Sequence, residues 1–346
     1  MHSRHPPPRS TLAIEIRPYQ PGDEDELLSA LNARERSCVE SRTAISSEEL
    51  TWFQAHPRGS RTYLALDPDR NGALVGHLSA APHAVWMNGQ EHRFAELFGG
   101  FVASEYRQGL AKRGVYARLC RELFSNHQGV EGDFIYYGWP TPEEWRLGRK
   151  QLSFEAVRTQ IALTRAVPGD GMAPGGLLEI EGLERFERFD HQARWLWDRC
   201  AGGFGASALR DEEFLNHRFV ERPGHDYELL GVRDGEGVLR GYAVFRVGTW
   251  NGRSTGLVCD WLVPCDEPEV GALLLRGLDA CARNASADEL FCLLPEWSPW
   301  FDRFQRAGFL ATDAGRMLIA RSKARRFDAF WMRTQWYSTL ADTLIV

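Results

Sequence analysis

The segment 107–114, Arg-Gln-Gly-Leu-Ala-Lys-Arg-Gly, combines glycines with adjacent basic side chains. It overlaps the start of a helix predicted over 111–124, where Val115, Leu119 and Leu123 recur at helical spacing. The first turn of a helix exposes backbone N–H groups and the positive end of the helix dipole, which together bind phosphate-like anions. The pattern therefore favours an anion at this turn, with the basic side chains adding direct charge.

The rest of the composition excludes several other kinds of site. The seven cysteines are scattered without a C-x-x-C pair and the ten histidines show no ligand spacing, so we expect neither a disulfide framework nor a bound metal. A formal charge of -6 disfavours nucleic acid as the main partner. No apolar run approaches the roughly 20 residues of a membrane-spanning helix. We expect a cytoplasmic protein with a small-molecule partner.

The predicted strands and helices occur in the same order twice. The first copy has strands at 62–66, 73–86 and 94–102, a helix at 111–124, a strand at 134–137 and a short helix ending before Ser153-Phe154. The second copy has strands at 227–232, 238–249 and 255–263, a helix at 270–282, a strand at 290–294 and a short helix ending before Gly308-Phe309. In both copies an Asn-Gly pair joins the second and third strands, which is typical of a type I′ hairpin. The chain thus predicts a duplicated α/β unit.

Two helices are predicted ahead of each sheet, at 23–36 and 47–55 and again at 190–200 and 211–220, with Asp23, Ser47 and Asp211 in N-cap positions. The stretch 168–176 is rich in Pro and Gly and reads as a linker. We therefore expect a disordered tail at 1–11, a first domain at 12–167, a second domain at 177–321 and a segment at 322–346. That last segment is apolar enough to pack back on the body.

These features resemble the GNAT N-acetyltransferases. The opening Ile16-Arg17-Pro18-Tyr19 with Gly22-Asp23 is similar to that family's first strand and turn. The strand 97–103 with the segment 105–112 resembles the family's acetyl-CoA motif, and Leu152-Ser153-Phe154 resembles its closing Leu-Gly-Phe. The resemblance covers nearly all of 12–320 and implies two tandem GNAT-like folds, each a mixed, mostly antiparallel sheet flanked by helices.

The resemblance implies acetyl-CoA as co-substrate of the first domain, with no metal. In the family, a strand holds the pantetheine arm and a Gly-containing loop binds the pyrophosphate. The loop here carries Gly-x-Ala at Gly109 to Ala111. Compared with the family pattern Arg/Gln-x-x-Gly-x-Gly/Ala, it has one residue fewer between Arg107 and Gly109. The residues that match the motif are Phe101, Val102, Ala103, Arg107, Gln108, Gly109, Leu110, Ala111, Lys112, Arg113 and Gly114.

The same resemblance points to candidate catalytic residues. The family's acid tyrosine is replaced by Arg149 in the first copy and by Phe304 in the second. Tyr136 and Tyr137, at the end of a central strand, are alternative substitutes for this acid, and Tyr137 is the candidate carried forward. Glu96, on the strand before the loop, and Glu105, inside the loop, are candidate bases.

The second copy departs further from the motif. Where its loop should lie the chain reads Pro264-Cys265-Asp266-Glu267-Pro268, and prolines and carboxylates both oppose diphosphate binding. We expect this domain to be a structural or acceptor-binding wall. Candidate acceptor contacts are Trp139, Asp260 and Trp297.

Three functions remain open on sequence alone. The first is acetyl transfer from acetyl-CoA to an amine of a small polar acceptor, an amino sugar being one example. The second is a non-catalytic, ligand-binding protein with the same fold, which the double loss of the acid tyrosine favours. The third is a Fem-type aminoacyl-tRNA-dependent transferase. The lack of a long basic helical arm in the sequence argues against it. Either a monomer or a homodimer fits the sequence.

Overall fold

The computed structural model describes residues 13–35, 44–108, 114–129, 131–167 and 180–344. Residue contacts divide the chain into two compact units. The first unit contains residues 1–83, 92–157 and 318–329, and the second contains 84–91, 158–317 and 330–346.

Strands and helices alternate along the chain as a mixed α/β protein requires. The strands are β1 (Glu15–Pro18), β2 (Arg61–Asp67), β3 (Ala73–Met87), β4 (Gln90–Val102), β5 (Asp133–Gly138), β6 (Glu155–Ala166), β7 (Leu183–Phe186), β8 (Ala206–Ala208), β9 (Glu228–Arg233), β10 (Leu239–Trp250), β11 (Arg253–Leu262), β12 (Glu289–Cys292), β13 (Leu310–Ser322) and β14 (Trp336–Tyr337). The helices are α1 (Glu24–Glu35), α2 (Ser47–Gln54), α3 (Val115–His127), α4 (Pro142–Gln151), α5 (Gln192–Ala201), α6 (Glu212–Phe219), α7 (Pro268–Asn284), α8 (Pro299–Arg306) and α9 (Ala329–Gln335).

The sheet of the first unit has the order β1-β2-β3-β4-β5-β13. Strand β2 runs antiparallel to β1 and β3, β4 is parallel to β5, and β5 is antiparallel to the end of β13. Helix α3 packs on one face, where the Phe124 and Tyr136 rings are 4.6 Å apart. Helix α2 covers the opposite face, where the Phe53 ring stacks on Phe98 at 5.0 Å.

The sheet of the second unit has the order β6-β12-β11-β10-β9-β7. Strands β11 and β12 are parallel, and the other neighbours in this order are antiparallel. The short β8 pairs with β14 and with the end of β3. Each unit is thus a mixed, mostly antiparallel sheet flanked by helices, as the sequence predicts.

Both predicted hairpin turns have the backbone that Asn-Gly favours. Asn88 and Gly89 have φ of 52° and 81°, and Asn251 and Gly252 have φ of 50° and 77°. A type I′ turn requires positive φ at both central residues, which Asn and Gly tolerate best.

The strands that close the two sheets are exchanged relative to the sequence repeats. Residues 163–166 of β6, at the end of the first repeat, pair with β12 in the second unit. Residues 319–322 of β13, at the end of the second repeat, pair with β5 in the first unit. The compact units therefore differ from the continuous domains 12–167 and 177–321 expected from the sequence.

The helix caps follow local chemistry. Asp211 caps α6 as predicted, because its carboxylate accepts a hydrogen bond from Phe214 N at 2.9 Å. The cap of α2 is Ser46, which accepts from Glu49 N at 3.1 Å, so the prediction of Ser47 was wrong by one residue.

The C-terminal segment packs within the second unit from β14 onward. Trp336, Tyr337 and Leu340 are buried there, whereas Phe330 is exposed. In the described part of the chain no helix is long and apolar enough to cross a membrane. The same residues include no grouping of three or more His, Cys, Asp or Glu side chains that could hold a metal ion.

Candidate acyl-transfer site

The parallel strands β4 and β5 of the first unit are paired until β5 ends, and β4 continues beyond that point. Their pairing runs from Arg93 opposite Asp133 to Leu97 opposite Gly138. Gly138 allows a close approach there, since a Cβ at this position would lie 3.0 Å from the Leu97 carbonyl oxygen. Strand β4 then continues to Val102 while β5 ends, and Gly99, with φ of 65°, bends the continuing strand.

Glu96 and Tyr137 lie side by side just before β5 ends. They are direct register partners, so their side chains share one face of the sheet. Glu96 is 1% exposed and Tyr137 is 0% exposed. A carboxylate in such a place is costly unless polar groups surround it, so its presence indicates a specific role.

Two histidines that the sequence did not single out lie near this pair. The ring of buried His83, on β3, is 6.2 Å from that of Tyr137, and the His56 ring is 6.0 Å from that of His83. The signal that could have revealed His83 is the run of polar residues at alternate positions of β3, since a strand covered on both faces is ordinarily apolar.

A row of hydrogen bonds crosses the same face of the sheet. Gln54 donates to the Thr62 hydroxyl at 3.3 Å, and the hydroxyls of Thr62 and Ser79 are 2.9 Å apart. His77 Nε2 is 2.9 Å from Ser79 Oγ, and His77 Nδ1 is 3.0 Å from the Gly99 carbonyl oxygen. We call this surface the polar face; it carries Thr62, His77, Ser79, His83, Glu96 and Tyr137.

Tyr136 faces the other way, toward α3. Its hydroxyl donates to Asp133 at 2.8 Å, and the Asp133 carboxylate lies 3.0 Å from Arg61. Burial raises the pKa of Asp133, against the opposing effect of Arg61, and burial also raises the pKa of Tyr136. This arrangement engages Tyr136 in a buried pair and leaves Tyr137 as the tyrosine on the polar face.

The predicted diphosphate loop lies partly outside the described residues. Five of the residues assigned to the loop lie outside the described residues: Gly109, Leu110, Ala111, Lys112 and Arg113. Gly114 precedes α3, whose N-terminus has no side-chain cap and no acidic residue in its first turn. On the strand side, Arg107 donates from Nε to the Val102 carbonyl at 2.8 Å, and Ala103 N donates to Val75 O at 2.9 Å.

Glu105 lies away from Glu96 along the chain, in the turn that follows β4. Its carboxylate is partly exposed and 3.4 Å from Arg70. A hydrogen bond from its own backbone N–H lowers the pKa of Glu105. These contacts tie Glu105 to the turn after β2, and they include no residue of the polar face.

Comparison with solved structures places this architecture among N-acyltransferases. A conserved protein of Enterococcus faecalis V583, described as a probable N-acyltransferase, superposes with a TM-score of 0.62 at 14% identity, covering 89% of this chain and 72% of that one. N-myristoyltransferase of Saccharomyces cerevisiae with bound myristoyl-CoA has a TM-score of 0.61 at 13% identity, covering 91% and 79%. A candidate acetyltransferase of Pyrococcus horikoshii has a TM-score of 0.55 at 13% identity, covering 93% and 94%.

The chain has the GNAT N-acyltransferase fold. No protein-family model and no curated protein sequence matches it. Because the structural neighbours share so little sequence with it, they establish the fold alone.

In the second unit the stretch of β11 that continues beyond β12 is contacted by the chain itself. Pairing of β11 with β12 ends at Val258 opposite Cys292, while β11 continues to Leu262. The Tyr337 hydroxyl donates to the Trp261 carbonyl at 2.6 Å on this unpaired stretch. The C-terminal segment therefore contacts the stretch of β11 that corresponds to the end of β4 in the first unit.

The N-terminus of the second unit's main helix, α7, is also unsuited to an anion. Pro268 removes an amide donor there, and Glu267 is the N-cap residue, although its carboxylate makes no hydrogen bond to the helix start. Arg240 donates to Glu267 at 2.7 Å, and Arg199 forms a further ion pair with it. A carboxylate already held at this position leaves no favourable site for a second anion.

Asp260 is a structural residue in this unit rather than an open contact for an acceptor. Its side chain is 0% exposed. Its two carboxylate oxygens accept hydrogen bonds from Arg210 at 2.9 Å, Tyr242 at 2.9 Å and Thr339 at 2.7 Å. The Asp260 side chain therefore has no exposed surface through which to contact an acceptor, contrary to the expectation from the sequence.

The two tryptophans assigned to the acceptor occupy matching loops. Trp139 follows β5 directly, and Trp297 follows β12 after a few residues. Both are partly buried, and their indole nitrogens have no hydrogen-bond partner among the residues that the structure describes. A buried N–H without an acceptor costs about 1–3 kcal/mol, so these two positions are energetically unfavourable as described.

Proposed function

We propose that this protein is an N-acyltransferase whose first unit binds acyl-CoA and transfers an acetyl group to the amine of a small polar acceptor. The structural neighbours described as acyltransferases support acyl transfer, and the N-myristoyltransferase with bound myristoyl-CoA supports an acyl-CoA donor. Acetyl as the acyl group and the class of acceptor are parts of the proposal that rest on the sequence resemblance.

The observation that carries the proposal is the stretch of β4 that continues beyond the end of β5. This stretch begins just after Glu96 and Tyr137, and it leads toward the N-terminus of α3, where Gly114 provides no side-chain cap. An extended pantetheine arm can hydrogen-bond an unpaired strand, and a diphosphate can bind amides at a helix start. In the second unit, by contrast, Tyr337 contacts the corresponding stretch of β11, and a proline and the carboxylate of Glu267 stand at the helix start.

The side chains beside this stretch of β4 suit amide formation from a thioester. The acceptor nitrogen attacks the thioester carbonyl carbon, so a C–N bond forms as the C–S bond breaks. Glu96 accepts the proton that the nitrogen loses, and Tyr137 donates a proton to the departing sulfur. Proton exchange with solvent then returns Glu96 and Tyr137 to their starting forms. Positioning of the two substrates supplies much of the rate.

The first experiment is thermal stabilisation of the whole protein by acetyl-CoA, myristoyl-CoA and free CoA. A ligand at a hundredfold excess over its dissociation constant adds about 2.7 kcal/mol to the free energy of unfolding, which raises the melting temperature by a few degrees. We expect stabilisation by acetyl-CoA, and release of free thiol when a panel of amines, including amino sugars, is added.

A matched pair of variants locates the site. Gly109→Pro removes a backbone amide from the loop and should abolish the stabilisation, whereas Gly109→Ala keeps the amide and should retain most of it. Stabilisation with no thiol release for any amine would favour the non-catalytic ligand-binding alternative. Stabilisation by myristoyl-CoA but not by acetyl-CoA would change the proposed acyl group from acetyl to a long-chain acyl group. A response only to aminoacyl-tRNA would favour the Fem-type alternative.

A further inference from the structure

We infer that His77 is a positioning residue that orients the Gly99–Gly100 peptide of β4 for the acyl thioester. The inference rests on the proposed function, since it assigns a role within the same site. His77 lies on β3, two strands from β5, and is 2% exposed.

The hydrogen-bond row across the polar face has a fixed direction. A carbonyl oxygen only accepts, so His77 Nδ1 carries the proton and donates to Gly99 O at 3.0 Å. In the neutral ring Nε2 is then an acceptor, and Ser79 Oγ donates to it at 2.9 Å.

The row continues to the segment that follows α2. Ser79 Oγ accepts from Thr62 Oγ1 at 2.9 Å, and Thr62 Oγ1 accepts from Gln54 Nε2 at 3.3 Å. Gln54 Oε1 in turn accepts from Ser60 Oγ at 2.8 Å. Each of these groups thus holds the next, and together they hold the His77 ring in one orientation.

A consequence follows from the planarity of the peptide bond. The structure has no cis peptide bonds among its described residues, so the Gly99 C=O and the Gly100 N–H point in opposite directions. With the carbonyl directed to His77 on β3, the Gly100 N–H is directed away from β3. That is the side on which β5 has already ended, at Gly138.

The location of this amide matches the needs of the proposed reaction. Gly100 comes three residues after the last residue of β4 that pairs with β5, and a Cβ on it would lie 2.7 Å from the Tyr116 ring in the first turn of α3. A fixed N–H donor near the thioester oxygen stabilises the negative charge that develops there as the nitrogen attacks. His77 would act on that charge only through the peptide it holds.

The test uses two substitutions that separate the two nitrogens of His77. His77→Asn places an amide N–H near the position of Nδ1 and can still donate to Gly99 O. His77→Gln places its amide near Nε2, so it keeps a polar contact with Ser79 and loses the one with Gly99. Tyr63→Phe is the control, because it removes a hydroxyl that is hydrogen-bonded on the α3 face of the same sheet.

We expect His77→Gln to lower kcat by about tenfold to a hundredfold, the range typical of a displaced or lost oxyanion donor. Its affinity for free CoA, which has no acyl oxygen, should stay near that of the wild type, while its preference for acetyl-CoA over free CoA falls. His77→Asn should retain most of the activity, and Tyr63→Phe should change neither kcat nor the preference.

The inference fails if the Asn and Gln variants lose activity equally, or if kcat and the CoA preference follow only their melting temperatures. Those results would assign His77 a packing role. A wild-type protein that neither binds CoA nor releases thiol would instead overturn the proposed function, so the two failures are distinguishable.

Discussion

Five polar side chains on the polar face are almost completely enclosed by protein. Thr62, His77, Ser79, His83 and Glu96 all belong to the buried set, although the interior positions of covered strands are ordinarily apolar. Enclosing such groups costs free energy that hydrogen bonding only offsets. Their concentration beside the end of β5 is what a reactive site requires and a simple core does not.

The two candidate bases differ in a way that mutation can separate. Glu96→Gln should lower kcat by about a hundredfold or more, because the amide cannot accept the proton from the acceptor amine. Glu105→Gln should change kcat by less than about twofold, because Glu105 is partly exposed and contacts Arg70 and its own turn rather than the polar face. The measurement is thiol release at saturating acetyl-CoA.

The binding of acetyl-CoA to both variants, followed by thermal shift, checks that each still folds and holds the donor. A larger loss of kcat in Glu105→Gln than in Glu96→Gln would move the base into the turn after β4. Equal small losses would leave proton removal to solvent or to a histidine.

A glycine recurs at matching places in the second strand of each sequence copy, where the main helix packs closely on the sheet. Gly76 on β3 and Gly241 on β10 occupy matching places in the two copies. A Cβ on Gly76 would lie 3.2 Å from Val115 Cγ1 of α3, and a Cβ on Gly241 would lie 2.7 Å from Val270 Cγ1 of α7. In both sheets the first turn of the main helix lies close to this glycine, and the approach is closer at Gly241.

Gly241→Ala should therefore destabilise the protein by about 1–3 kcal/mol, because the added methyl group overpacks a closed contact. Gly235→Ala is the control, since nothing lies within 4 Å of its Cβ position and its φ is not in the left-handed region. It should change the free energy of unfolding by less than about 0.5 kcal/mol. Urea unfolding at constant pH measures both, and equal losses would contradict the close-contact explanation.

Much of the element order was predictable from the sequence. The strands 73–86 and 238–249 were found within about one residue of β3 and β10, because alternating or continuous apolar runs bounded by Gly and Asn mark strands locally. Strand exchange between the units was not predictable. Residues 155–166 and 310–322 read as strands whichever sheet they join, and only contacts distant in sequence select the neighbour.

For the chain as a whole, one buried arginine connects segments that are far apart in sequence. Arg210 donates to Asp260 at 2.9 Å and to both carboxylate oxygens of Asp342 at 2.8 and 2.9 Å. All three side chains are at most 2% exposed. The C-terminal segment of the second unit is thereby anchored to β11 through charge as well as apolar packing.

Arg210→Met should destabilise the protein by about 3–5 kcal/mol, because it leaves two buried carboxylates without their cation. The control is Arg194→Met, which removes an exposed ion pair with Asp198 and should cost less than about 1 kcal/mol. Urea unfolding monitored by tryptophan fluorescence measures the difference. A loss of similar size in both variants would show that the buried cluster contributes no more than a surface pair.

The sequence alone determined the duplicated α/β order and the two Asn-Gly turns, since each depends on residues near one another along the chain. Only the tertiary structure decided which polar residues meet. His77 contacts Gly99 and His83 approaches Tyr137 because separate strands are aligned in one sheet, and Asp260 is enclosed because the C-terminal segment returns to β11. Contacts of that kind depend on register and packing between distant segments, which local residue patterns do not encode.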